Sequence, residues 1–400
     1  MSSSVPTTQS LRADAFCQAC GTAGLTVFYE ARSIPVHSCM LLESRKEALA
    51  FPKGDLRLGF CPSCGFIGNL AYDDRLQHYA PGYEEQQSFS PRFNEFSTAL
   101  AARLIERYDM RGKHVVEIGC GKGDFLVEVC RLGNNSGVGI DPSYVPGRQE
   151  NNRVRFIQDF YTERYADVRG DLLMCRHTLE HIGNVREFMQ RVRRTVGDRV
   201  ETIIFFEVPD VQRVLREQAF WDIYYEHCSY FSLGSLARLF RACGFEVLDL
   251  AKEYDDQYLV LDARPANGPT SARFEAETDL GQLAKDVTAF QENFRARADF
   301  WKEKLRSDRQ AGRKTAIWGS GSKCVAFLST LGASEFVDQI VDINPYRHGK
   351  FLAGSGKLIQ SPESLREYRP DVVIAMNPIY KEEIGRDLDR MGLNPELLAV

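Results

Sequence analysis

The run Val115-Val116-Glu117-Ile118-Gly119-Cys120-Gly121-Lys122-Gly123-Asp124 constrains the fold more than any other stretch of this chain. An apolar strand ends in an acid and enters a Gly-x-Gly-x-Gly turn, which opens a helix expected over residues 125–130. Glycines in such a turn permit backbone angles that side chains resist, and they let the main chain approach a ligand closely. The pattern predicts an α/β fold of the dinucleotide-binding kind. A nicotinamide-type domain is the competing reading. It would carry its glycines as GxGxxG to cradle a pyrophosphate, and the spacing here is shorter.

The residues beyond this turn extend the pattern. Gly137-Val138-Gly139-Ile140-Asp141 reads as a second strand ending in an acid, placed where a bidentate carboxylate would hold a ribose diol. Residues 154–158 read as a third strand with Asp159 at its tip, residues 171–175 as a fourth and residues 202–207 as a fifth. Residues 245–251 and 257–263 complete the sheet. Acids at three successive strand ends, Glu117, Asp141 and Asp159, suit an adenosine with a cationic methionine tail. The run resembles the class I S-adenosylmethionine methyltransferases. That resemblance implies that Glu117, Gly119 and Gly121 lie near the methionine and ribose, that Asp141 grips the ribose, and that Asp159 reaches the adenine amine. His177, at the tip of the fourth strand, is assigned to the same cofactor wall.

Cys17-x-x-Cys20-Gly21 and Cys61-x-x-Cys64-Gly65 read as two knuckles. Each Gly relieves the turn that aims two sulfurs at one point, and four thiolates are the tetrahedral set that suits a structural Zn2+. Such a site leaves no open position for water, so its expected role is to fold the N-terminal module. The strands between the knuckles are expected within residues 28–58. Cys39 has no partner spacing and reads as a buried small residue. The chain has 11 cysteines but opens without a secretion-signal pattern, so reduced thiols in a cytoplasmic enzyme are expected. A net charge of −5 gives no reason to expect nucleic acid or a membrane surface as partner, and no apolar run is long enough for a span.

The candidate chemistry lies past the fifth strand, in Phe220-Trp221-Asp222-Ile223-Tyr224-Tyr225-Glu226-His227-Cys228-Ser229-Tyr230-Phe231. The segment comes just after Glu207-Val208-Pro209, at the strand ends where open α/β sheets place their sites. His227 is the natural general base, Glu226 would orient or charge-stabilise it, and Tyr224 would donate to an oxyanion. The competing reading is a helix packing an aromatic stripe into the core. His177-Thr178-Leu179-Glu180-His181 is an HxxEH run that superficially matches an inverted zinc-protease motif. It shows no third ligand in sequence, and a wall or acceptor-contacting role fits its position better.

Taken in order, these motifs resemble the sugar C-methyltransferases of deoxysugar biosynthesis over nearly the whole chain. The resemblance implies three parts: a zinc-binding module at residues 11–78, a methyltransferase domain at 79–265, and a linking helix with a Rossmann-like domain at 266–400. It also implies base-assisted enolate formation on a nucleotide-linked 4-keto-6-deoxysugar. Tyr224, Glu226 and His227 would be catalytic, and Tyr79, or alternatively Tyr83, would lie near the acceptor. Two departures leave the acceptor open. Tyr225 replaces the family's first His of the Tyr-His-Glu-His run, and Asp255-Asp256-Gln257-Tyr258-Leu259 replaces its His-Gly-Gly-Ser-x-Arg turn. An O- or N-methyltransferase of another small molecule is therefore the alternative. Monomer and homodimer are not distinguished.

In the last third, Leu280, Leu283, Val287, Phe290, Phe294, Ala298, Trp301 and Leu305 alternate spacings of three and four, one face of a long helix that connects or clamps the two α/β domains. Strands are expected over residues 315–318, 339–343 and 371–376. The turn Gly319-Ser320-Gly321-Ser322-Lys323 lacks the phosphate-loop pattern of a hydrolase. It would either hold a phosphate of a sugar nucleotide or only shape the acceptor cleft.

Overall fold

The computed structural model describes residues 12–77, 79–149, 151–268 and 273–400. Its frame is three sheets. The central one holds β5 (His114–Ile118), β6 (Ser136–Ile140), β7 (Val154–Ile157), β8 (Leu172–Arg176), β9 (Ile203–Pro209), β11 (Phe245–Glu253) and β12 (Tyr258–Pro265). They run in the order β11-β12-β9-β8-β5-β6-β7. Neighbours from β9 to β7 pair in parallel, and β12 is antiparallel to both β9 and β11. Every residue of β8 is buried, as expected of a parallel strand covered on both faces. The order reverses at β5, so the glycine turn after β5 sits at the switch point where such sheets bind ligands. This is the class I methyltransferase fold.

The N-terminal sheet holds β1 (Arg12–Phe16), β2 (Ala23–Pro35), β3 (Lys53–Phe60), β4 (Ile67–Asn69) and β10 (Ser229–Tyr230), all antiparallel and in that order. Its last strand comes from far along the chain: Ser229 pairs with Gly68 and Tyr230 with Ile67. The segment just before β10 is thereby fastened to the N-terminal sheet. The C-terminal sheet is fully parallel, with β13 (Thr315–Trp318), β14 (Gln339–Val341), β15 (Ile359–Gln360), β16 (Val372–Ala375) and β17 (Glu396–Ala399) in the order β15-β14-β13-β16-β17.

The expected strands of the central and C-terminal sheets are found within a residue or two of their expected ends, whereas β2 begins at Ala23, five residues before the stretch expected to hold it; the helix expected over residues 125–130 spans Asp124–Gly133. Two segments differ. Residues 220–231 do not form the competing helix: a 3-10 turn, Phe220–Asp222, leads through a loop into β10. The HxxEH run holds only a 3-10 turn, Leu179–His181, rather than the helix its spacing would need to present both histidines on one face.

The long helix forms as Leu280–Gln310, with Leu283, Val287, Phe290, Trp301 and Leu305 buried. Its partners are broader than expected. Phe290 packs its ring against Phe28 and Tyr29 of β2 at 6.1 and 5.8 Å, and Trp301 meets Phe327 at 5.6 Å. Val211, Val214 and Leu215, beyond β9, join the same cluster. The helix therefore joins the N-terminal sheet to the C-terminal one as well as touching the central fold. No helix among the described residues is long and apolar enough to cross a membrane.

Phe290 is fully buried among these rings, so Phe290→Ala should lower unfolding stability by about 3–5 kcal/mol. Denaturant titration measures this, and a loss below about 1 kcal/mol would show that the helix is held elsewhere.

Candidate active site

One cavity of about 830 Å3 opens over the carboxyl ends of β5, β6 and β8. Tyr79 and Tyr83 wall it from the N-terminal side, and Gly321 and Lys323 from the C-terminal side. Gly119, Gly121 and Gly123 adopt φ of +70, +53 and +88°. A Cβ at Gly119 would lie 1.9 Å from Thr178 Oγ1, and one at Gly121 would lie 2.5 Å from Glu85 Oε1. The turn thus requires glycine twice over, for its angles and for its closeness to facing groups.

Asp141 is buried beside this turn. One oxygen accepts the Gly121 N–H at 2.8 Å, and the other accepts the Ser143 N–H and hydroxyl, each at 2.7 Å. Glu117 is buried, and its Oε2 has no hydrogen-bond partner among the described residues. Burial pushes its carboxyl up to about 8; Arg176 opposes that rise, while Asp141 and Glu207 add to it. An unpaired acid in a cleft suits a cationic ligand group. The glycine turn, Glu117 and Asp141 therefore fit a donor with an ammonium and a ribose.

Arg176 donates two bonds of 3.1 Å to Glu207 and stacks 3.8 Å over the Phe125 ring. His177, at φ +46°, places Nε2 2.7 Å from Glu207 and Nδ1 3.4 Å from Glu180. Burial would lower its proton affinity, but Glu207 and Glu180 outweigh that and hold its pKa at about 9.

The second half of the site is assembled across segments. His227 is buried, its ring 4.1 Å from Tyr224 and 4.8 Å from His181. Neither of its ring nitrogens has a hydrogen-bond partner among the described residues. Burial, then the charges of His181, His177 and Lys323, hold it well below the usual histidine range, so it is neutral. His181 Nδ1 lies 3.0 Å from the Glu226 carbonyl and 2.8 Å from the Tyr79 hydroxyl. A carbonyl only accepts, so Nδ1 carries the proton, and the Tyr79 O–H is left free to point elsewhere. Burial pushes the phenols of Tyr79 and Tyr224 well above their usual range, first by desolvation and then through nearby acids including Glu226.

Residues 92–250 match the family described as a methyltransferase domain, and residues 263–393 match the one described as a C-methyltransferase C-terminal domain. The chain is 29% identical over 305 residues to C-methyltransferase NovU of Streptomyces niveus, covering 71% of each. It is 38% identical over 85 residues to a ribosomal protein L11 methyltransferase of Alteromonas mediterranea, 20% of this chain and 29% of that one. The 1,6-didemethyltoxoflavin-N1-methyltransferase of Burkholderia thailandensis superposes over 44% of this chain and 80% of its own, at 16% identity and a TM-score of 0.35. This chain is an S-adenosylmethionine-dependent methyltransferase. The C-terminal family and the NovU relative are those of C-methyltransferases.

The methyltransferase brings most of the sequence-derived residues to one cavity: Glu117, Gly119, Gly121, Asp141 and His177 line one part of it, and Tyr79, Tyr224 and His227 another. Two expectations need correction. Glu226 does not face His227. Its carboxylate accepts the Ser38 N–H at 3.0 Å and meets His37 Nδ1 at 3.3 Å and the Ser322 hydroxyl at 3.4 Å, because that loop is pulled toward the N-terminal sheet. Asp159 does not line the cavity; Arg164 and Tyr165 hold its carboxylate at 2.8 and 2.5 Å, and the neighbouring Phe160 lines the mouth instead.

Sequence reasoning passed over His37 and Glu85, which sit in stretches without motif spacing, and gave Thr178 no role within the HxxEH run. Arg176 carried a signal, as a charge ending an apolar strand, that went unused.

The four cysteines gather as expected, Cys17 with Cys64 and Cys20 with Cys61, each pair at 3.6 Å between sulfurs. All four sulfurs lie within 4.8 Å of one another, a set that would hold a tetrahedral ion.

Gly119→Ala should weaken S-adenosylhomocysteine binding about tenfold or more, since strain at such an angle costs about 1–3 kcal/mol before the clash with Thr178. Calorimetry on folded protein reads this, and wild-type affinity would show that the turn does not frame the donor.

Proposed function

We propose that this methyltransferase alkylates a sugar carbon beside a ketone, on a nucleotide-linked 4-keto-6-deoxysugar, with His227 as general base. The observation that carries the proposal is a neutral imidazole without a hydrogen-bond partner, flanked by protonated phenols, in the cavity that also holds the glycine turn. A C–H next to a ketone is weakly acidic, and removing its proton requires both a base and donors for the developing enolate oxygen. His227 accepts that proton, and the O–H groups of Tyr79 and Tyr224 are available to the oxygen. When bound, S-adenosylmethionine supplies the electrophilic methyl group on its sulfonium. Glu117 would meet its ammonium and Asp141 its ribose, with Gly119 and Gly121 beneath and His177 in the wall.

On this reading Glu226 is a positioning residue: through His37 and Ser38 it ties the His227 loop to the N-terminal sheet. The C-terminal contribution to the acceptor would come from the turn Gly319–Lys323, which opens into the same cavity. Lys323 there pairs with Asp222. A structural zinc at Cys17, Cys20, Cys61 and Cys64 would fold the N-terminal module, whose His37 and Ser38 hold Glu226.

Three measurements test these assignments. Incubation with methyl-deuterated S-adenosylmethionine and a panel of nucleotide-linked 4-ketosugars should place the label on a sugar carbon by mass spectrometry. Label on oxygen or nitrogen, or transfer only to other small molecules, would replace the acceptor while keeping the donor site. His227→Ala should cut turnover by about two to four orders of magnitude; a near-normal rate would remove it as base. Metal analysis of freshly purified protein should find zinc bound to the cysteines, and chelation should unfold the N-terminal sheet. A metal-free protein with that sheet intact would overturn the zinc assignment.

A further inference from the structure

The HxxEH run lacks a third ligand in sequence, yet the fold supplies one from elsewhere. His177 is committed to Glu207 and Glu180. Glu180 and His181 instead face His227, which the loop before β10 carries in from 46 positions along the chain. One ligand atom from each of Glu180, His181 and His227 lies within 4.8 Å of the other two.

Each group is prepared for a ligand. Glu180 is 2% exposed, and neither of its carboxylate oxygens accepts a hydrogen bond. Its one ion-pair contact among the described residues is His177 Nδ1 at 3.4 Å. A buried carboxylate in that state is costly, and a metal ion is one of the few partners that offsets the cost. The Glu226 carbonyl takes the Nδ1 proton of His181 and so leaves the lone pair on Nε2, the outer-sphere arrangement that metal-bound histidines show. Neither ring nitrogen of His227 has a competing partner among the described residues.

We propose that Glu180, His181 and His227 form a metal site, distinct from the four cysteines, for a borderline divalent transition ion such as Zn2+, Co2+ or Ni2+. Two imidazoles and a carboxylate favour such ions over Mg2+ or Ca2+, which prefer all-oxygen shells. Tetrahedral coordination sets ligand atoms about 3.3 Å apart, so the side chains close by about 1.5 Å or less through side-chain rotation. All three residues line the cavity, so a coordination position left open would be reached from it. Occupation ties up the lone pair of His227, so the metal-bound enzyme is switched off while the metal stays.

The test uses full-length protein whose cysteine site is filled with zinc, titrated with Co2+. The site should take one further cobalt per chain. Its spectrum should show the weak visible bands of nitrogen and oxygen ligands, without the intense near-ultraviolet charge transfer of thiolate cobalt. Glu180→Gln and His227→Asn alter different segments, and each should weaken this binding at least tenfold, so a folding defect in one leaves the other to decide. Methyl transfer by the wild-type enzyme should fall over the same Co2+ range. Absence of a second cobalt, or equal affinity in both variants, would overturn the site. The spectrum reads metal alone, so this result is independent of which acceptor the enzyme methylates.

Discussion

The buried pair between Arg176 and Glu207 is the interaction on which the rest of the site depends. It joins the carboxyl ends of β8 and β9, the Phe125 ring supports the guanidinium, and His177 adds a second positive partner. Burial alone would raise the Glu207 carboxyl, but Arg176 and His177 hold it down at about 2, so it stays ionised. Breaking such a pair from one side leaves a charge without compensation, which is why its cost falls on the whole strand end. Glu117 sits near this ionised acid without an equal share of cation, and its raised carboxyl reflects that imbalance. An intramolecular pair thus stands next to an acid left short of a partner.

The second dependence is between distant parts of the chain. The His227 loop is fixed at two points: β10 completes the N-terminal sheet, and Glu226 anchors to His37 and Ser38. Tyr79 reaches the same pocket from the N-terminal side through His181. The central fold alone would present the glycine turn with no organised second half. The loop that carries His227 is therefore held by residues nearly two hundred positions away, His37 and Ser38 against Glu226.

Local patterns made the central sheet legible. Apolar strands ending in acids, and a glycine turn with its own backbone demands, are readable because the cause lies within a few residues. The four cysteines were legible for the same reason. Glu226 was misread because its neighbour in sequence, His227, suggested a pair, whereas a loop side chain takes its partner from whatever sheet the loop is tied to. Asp159 shows the converse: its strand was readable, but the direction of its carboxylate depended on Arg164 and Tyr165 beyond the strand. His37 offered no spacing at all, since its role exists only after β2 and the loop before β10 are brought together.

The helix Leu280–Gln310 carries a consequence for how the molecule comes apart. Its buried face belongs to one apolar cluster shared with β2, the segment after β9, and the C-terminal sheet. Melting any one of these parts would expose apolar surface on the others. Although its sequence reads as three successive units, the first and the last are bound to each other through this helix, and loosening it would bare apolar surface on both.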